Sequence, residues 1–365
     1  MTALAGGWVS AIASDPALLA VVLLALGLLL TTTLMLLGTL LLSRHHERRA
    51  RRAARVRQQW MPRLLGMLTG ADDDPETTLP RLARRDMPAL VSLCNALQDT
   101  VRGVSRESLQ LLAQRLGLIP ELRSWLRRGD AGRQLDALTC LGQLRIDAAW
   151  PDIQSLMDQD NTVLSLTAAR ALVNIDAPRG VPEILQRLQR ADWSESRVTA
   201  LLKEVPANTL IRMLQQNLLT SEARAMSAPA LRKLIRITNS LQPHQVEPLL
   251  QLARERFPDD AELRSTICAC ADGPQWLAYL RTATTDEYWP VRVQAVRRLG
   301  RIGEPADRIV LAARLEDPVW WVRYRAAQAL LGLPDAQRQA LQIMARVHDS
   351  QRVREILAHA LAEVR

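Results

Sequence analysis

DEYWPVRVQAVRRL (residues 286–299) recurs in altered form as DPVWWVRYRAAQAL (317–330) and again as HDSQRVREILAHAL (348–361). Val291, Val322 and Val353 fall at one constant step along the chain, and so do Arg292, Arg323 and Arg354, and Leu299, Leu330 and Leu361. Trp289 and Trp320 keep the same step. Three coincident columns at one period of this length mark a repeat array, each unit a supersecondary element stacked on the next. Each unit reads as a first helix, a turn carrying Asp or Pro, and a second helix that opens near Val-Arg. Neither helix can bury its apolar stripe alone, so neighbours must stack, and a core then runs along the array.

The period continues upstream in weaker form. LGQL at 141–144 and LVNI at 172–175 are separated by the same step, with Ala137 and Ala168 in register, and DAELR at 260–264 precedes another short apolar helix. The segments around Val198 and Leu231 read as degenerate units. These units resemble HEAT repeats, in particular the short HEAT-like variety found in phycobilisome-lyase-type proteins, over residues 85–365. The resemblance implies an all-α fold: an α-solenoid of about eight HEAT-like helix pairs. It also implies an internal ladder between an Asp at the inter-helix turn and an Arg six positions on. Asp286 with Arg292 and Asp317 with Arg323 fit that spacing. The last unit has His348, or Asp349 at five, before Arg354, so the ladder is expected to end there.

Composition agrees with helices throughout. Leu, Ala, Arg and Gln abound, aromatics are 4% of the 365 residues, and Phe occurs once, which disfavours a large sheet. The four cysteines (Cys94, Cys140, Cys268, Cys270) are too few for a disulfide framework and point to a reducing compartment. Cys268 and Cys270 fall on different faces of a helix, as buried small residues rather than a metal or nucleophile pair.

A different pattern governs the N-terminus. No residue between Asp15 and Arg44 carries a charge, and Leu18–Leu42 is almost wholly apolar. At 1.5 Å per residue that stretch reaches about 38 Å, enough to cross a hydrocarbon core of about 30 Å. No Lys or Arg precedes it, so an uncleaved anchor is expected rather than a signal peptide. Beyond it lie Arg44, Arg48, Arg49, Arg51, Arg52, Arg55, Arg57 and Arg63. By the positive-inside rule this places a single-pass protein in the inner (cytoplasmic) membrane, N-terminus outside and repeats cytoplasmic. The expected order is a tail (1–17), a transmembrane helix (18–42), an Arg-rich juxtamembrane helix (43–65), an acidic, Pro-containing linker (66–80) and the solenoid (81–365). Of the net charge of +9, residues 44–63 hold +7 and residues 64–365 only +3. The basic excess is therefore juxtamembrane, and no nucleic-acid groove is expected.

No catalytic constellation stands out. The five histidines show no metal-ligand spacing, the adjacent His45 and His46 cannot share a helix face, and no phosphate-binding glycine loop or nucleophile elbow appears. The expectation is no enzyme, no cofactor, no metal and no small-molecule substrate. Trp289 and Trp320, in one repeat column, are expected to pack between helices. Trp321, Tyr324 and Arg325 stand outside the repeat columns and form the candidate partner surface, although burial of both rings is the expected outcome. Function then reads as a membrane-anchored cytoplasmic scaffold for a partner protein, a polysaccharide-synthesis or signalling component being the example. The alternative is a HEAT-like enzyme of bilin-lyase or DNA-glycosylase type.

Overall fold

The computed structural model describes residues 16–68, 83–100, 106–218, 226–333 and 338–363; the expected tail up to residue 15 and the linker over 69–80 lie outside them. Among the described residues there is no β-strand. The chain divides into two compact units, residues 1–140 and 141–365.

In the first unit, α1 (Pro16–Leu68) is one helix of 53 residues, continuous through the boundaries at 42 and 65 that composition suggested. Its segment Leu24–Leu41 has a mean hydropathy of 2.1 and buries none of its surface against the protein. The hydroxyls of Thr31, Thr32, Thr33 and Thr39 donate to backbone carbonyls three or four residues earlier, so the polar atoms of this stretch are satisfied within the helix. Further along, the same helix becomes a packing element. Val56 and Trp60 are buried, and α1 lies against α2 (Met87–Thr100) and α3 (Arg106–Arg115). The unit's core adds Leu90 and Val91 on α2, Leu122 and Trp125 on α4 (Leu118–Arg128), and Leu138 on α5 (Ala131–Gln143).

The second unit is a run of helix pairs: α6 (Trp150–Leu156) with α7 (Thr162–Ile175), α8 (Ala177–Gln186) with α9 (Glu195–Leu202), and α10 (Ala207–Leu218) with α11 (Ala228–Leu241). Then follow α12 (Glu247–Arg256) with α13 (Ala261–Cys270), α14 (Leu277–Ala283) with α15 (Trp289–Ile302), α16 (Arg308–Ala313) with α17 (Trp320–Gly332), and α18 (Arg338–Val347) with α19 (Gln351–Glu363). The second helices pack in sequence, α9 on α11, α13, α15, α17 and α19, to make one layer of an α-solenoid. Val291, Val322 and Val353 are fully buried in it, as the column demanded. Gly300 lets α15 and α17 approach closely, since a Cβ there would fall 2.6 Å from the Ala329 Cα; Gly142 plays the same part against Ala171.

All four cysteines are buried and free. Burial pushes the Cys94 thiol up to about 11 and the Cys268 thiol up to about 12, so both stay protonated as small packing groups.

Candidate interaction surface

The turns between paired helices set the geometry of the C-terminal half. The last three second helices are each preceded by a side chain that folds back on the main chain two residues on: the Asp286 Oδ1 accepts from the Tyr288 N–H at 2.8 Å and the Asp317 Oδ1 from the Val319 N–H at 2.9 Å. His348 does the same through Nδ1, accepting from the Ser350 N–H at 3.1 Å. One turn into each helix an arginine reaches back six residues to a carbonyl: Arg264 to Pro258, Arg292 to Asp286, Arg323 to Asp317, and Arg354 to His348. Four arginines therefore share one structural column, with the step from Arg264 to Arg292 slightly shorter than the two that follow.

The pairing of carboxylates differs from the one expected within each repeat. Arg292 grips Asp317 of the next repeat with two bonds of 2.8 and 2.9 Å, and Arg264 grips Asp286 with bonds of 2.7 and 3.1 Å. The reason is geometric. The terminal Nη1 is committed to the carbonyls of its own turn, which leaves the Nε–Nη2 edge of the planar fork facing the neighbouring turn. In the following repeat the equivalent position is His348 rather than an Asp, and the Arg323 Nε is buried without an acceptor. The ladder thus has two rungs in this column, Arg264–Asp286 and Arg292–Asp317. Burial by itself raises the Asp286 carboxyl, but Arg264 and the Tyr288 N–H outweigh it and hold the group below its ordinary value. A parallel link joins Arg281 on α14 to the buried Asp307, which likewise sits below its ordinary value: burial raises it and the bonds from Arg281 and the Glu304 N–H bring it down.

The same turns place aromatic rings at the surface. Trp289 and Trp320 are 43% and 42% exposed, not packed between helices as expected, because the buried stripe begins two residues later at Val291 and Val322. Trp321 is 52% exposed, so burial of this ring is also corrected, while Tyr324 is half-buried. Trp320 and Tyr324 stack with centroids 5.0 Å apart and planes 9° apart, and Trp321 meets Trp320 edge-on at 4.7 Å. His359 of α19 closes the cluster, 5.7 Å from Tyr324 and 6.3 Å from Trp320. The Tyr324 hydroxyl donates to Glu363 at 2.7 Å, a bond that raises its ionisation above the ordinary value. Arg325 lies over the Tyr324 ring at 5.6 Å and donates to Gln328.

Sequence reasoning named Trp321, Tyr324 and Arg325 but missed His359, Glu363 and Arg264. The near-repeat spacing from Arg264 to Arg292 was the readable signal for the last. His359 and Glu363 lie on either side of the column residue Leu361, and nothing in their spacing sets them apart. Of the arginines that follow the apolar segment, Arg44, Arg51, Arg52, Arg55 and Arg57 are exposed on α1, Arg51 paired with Glu47 at 3.3 Å; the side chains of Arg48, Arg49 and Arg63 lie outside the described residues.

Residues 246–331 match the family described as HEAT repeats, and the chain is a HEAT-like repeat protein. No curated protein matches it in sequence. Among solved structures it is similar to the X-ray structure of YibA from Escherichia coli, at 14% identity, covering 78% of this chain and 99% of that one, with a TM-score of 0.38. It is also similar to human deoxyhypusine hydroxylase in complex with glycerol, at 18% identity, covering 76% and 96%, with a TM-score of 0.23. The second is an enzyme, which corrects the expectation that this chain is not one: a helical-repeat architecture of this kind does not by itself exclude catalysis.

Proposed function

We propose that the protein is a membrane-anchored repeat scaffold that docks a partner protein through the aromatic surface at the start of α15 and α17. In this reading the apolar part of α1 crosses the inner membrane, the juxtamembrane arginines keep the repeats on the cytoplasmic side, and the partner is a component of polysaccharide synthesis or signalling held there. The observation that carries it is the cluster of Trp320, Trp321, Tyr324 and His359 beside the exposed Trp289. Large rings left in water are costly, and Trp and Tyr are the residues around which binding energy concentrates at interfaces. The apolar segment supports the anchor, since 18 residues at this hydropathy bury nothing against the protein and are followed by a dense run of Arg.

A photo-crosslinking amino acid placed at residue 321 in cells tests this, with residue 163, exposed on α7, as the control. The expected result is one discrete adduct from position 321, identified by mass spectrometry, that position 163 does not give. Absence of an adduct from 321, 320 and 289 alike would overturn the reading.

A further inference from the structure

The described tryptophans with a settled hydrogen bond are buried: Trp125 donates to Glu121 at 3.1 Å, Trp193 to Ser165 at 2.8 Å and Trp276 to Glu247 at 2.7 Å. Trp289, Trp320 and Trp321 are the opposite case. Their rings are exposed, and among the described residues none of their indole N–H groups donates to a protein atom. The surface therefore offers flat apolar faces together with hydrogen-bond donors, and a fitting ligand must supply apolar contact and acceptors.

Spacing narrows the ligand further. Trp289 and Trp320 hold one register position on α15 and α17, which lie side by side in the second-helix layer. Packed helices stand about 8–10 Å apart, and the contact of Gly300 with Ala329 keeps this pair close. A polyproline II helix rises about 3.1 Å per residue with three residues per turn, so its residues i and i+3 lie about 9.3 Å apart on one side. That step matches one repeat of the solenoid. The backbone of such a helix makes no internal hydrogen bonds, so its carbonyls seek donors, and proline brings no N–H that would need an acceptor. The aromatic column is two positions long: its register is taken by Ala261 in the preceding repeat and by Gln351 in the following one. A carboxylate lies beyond each end: Glu262 accepts from the Tyr288 hydroxyl at 3.2 Å and is already paired with Arg232 at 2.9 Å, whereas Glu363 accepts from Tyr324 and faces no arginine partner among the described residues, so it is the end that suits a basic residue of the ligand.

We propose that this column binds a proline-rich segment in the polyproline II conformation, with prolines three residues apart on Trp289 and Trp320 and a basic residue at one end. The inference rests on the docking reading above and names the chemistry of the docked segment.

The test is fluorescence anisotropy of labelled synthetic peptides titrated with the full chain in detergent micelles. One peptide carries proline at every third residue, alanine between and arginine at both ends; a second has the same composition with proline at every fourth. Saturable binding of the first, at least about tenfold tighter than the second, is expected, with a loss of about tenfold or more in Trp320→Ala and in Trp289→Ala. Trp320→Phe keeps a ring, removes an N–H and is expected to weaken binding less than Trp320→Ala, which separates a lost donor from a lost ring, and circular dichroism checks folding of every variant. Equal binding of both peptides, or binding unchanged in the tryptophan variants, overturns the proposal. No binding of either peptide, with the crosslink from residue 321 intact, overturns the proline-rich assignment and leaves the docking reading standing. Loss of that crosslink as well removes both.

Discussion

Replacing Arg292 by alanine strips Asp317 of both guanidinium bonds and leaves a carboxylate whose side chain is 3% exposed with the Val319 N–H as its remaining protein donor. Removing one partner of a buried ion pair costs about 3–5 kcal/mol, because the other charge stays buried and uncompensated. Arg323→Ala, at the equivalent place one repeat on, breaks only the carbonyl bonds of this column, to Asp317 and Pro318 at 2.8 and 3.0 Å, whose counterparts to Asp286 and Glu287 are lost in Arg292→Ala as well. It strands no carboxylate and removes an Nε that has no acceptor. Its cost is therefore about 1–2 kcal/mol. Hydrogen exchange read on peptides from α15 and α17 is the suitable assay, since repeat arrays open locally and a global midpoint blurs the difference. Arg292→Ala should lower the opening free energy of this pair by about 2 kcal/mol more than Arg323→Ala does. An equal or larger effect of Arg323→Ala would refute the inter-repeat pairing and restore the pairing within each repeat.

Three further outcomes follow from the same geometry. His348→Asp supplies the carboxylate that Arg323 lacks and should slow exchange across α17 and α19 by an amount equivalent to about 1 kcal/mol; no change would mean that Arg323 does not face that turn. Because the Asp286 carboxyl lies below its ordinary value of 3.8 when folded, its contribution is complete above that value and fades as pH falls through the lowered one. Asp286→Asn should therefore flatten the acid limb of a stability-versus-pH curve below about pH 4, and an unaltered limb would count against the Arg264–Asp286 rung. Deleting residues 1–43 should yield a soluble folded chain, whereas deleting through residue 68 removes the part of α1 that carries the buried Val56 and Trp60 and packs on α2, and should cause aggregation, as size-exclusion chromatography of the two truncations would show.

The repeat was legible because a residue buried in every unit must recur at a fixed step, as Val291, Val322 and Val353 do. The helical class was legible for the same reason and from the scarcity of β-branched and aromatic residues. Which carboxylate each arginine takes was not. An Asp in the turn before Arg292 and another in the turn of the next repeat both fit a stacked array, and the choice falls on the second only because the carbonyls of the first turn already occupy part of the guanidinium. The exposure of Trp289 and Trp320 was hidden similarly: a tryptophan at the first position of a helix is at the edge of the apolar stripe, and sequence does not say on which side of that edge the ring falls. The apolar segment of α1 was readable from composition, but the burial of Val56 and Trp60 among arginines was not, because the helices they pack against lie well further along the chain.

The proposed function requires the repeats to sit on the cytoplasmic side of a membrane, and reporter fusions after Arg365 test that requirement most directly. A reporter active only in the cytoplasm should work and one active only outside should not, with the chain recovered in the membrane fraction. Substituting Arg44, Arg48, Arg49, Arg51 and Arg52 by Gln should yield a detectable inverted population, because Arg55, Arg57 and Arg63 lie further from the span. Activity of the external reporter on the unmodified chain, or recovery of that chain in the soluble fraction, would contradict a cytoplasmic scaffold anchored by α1.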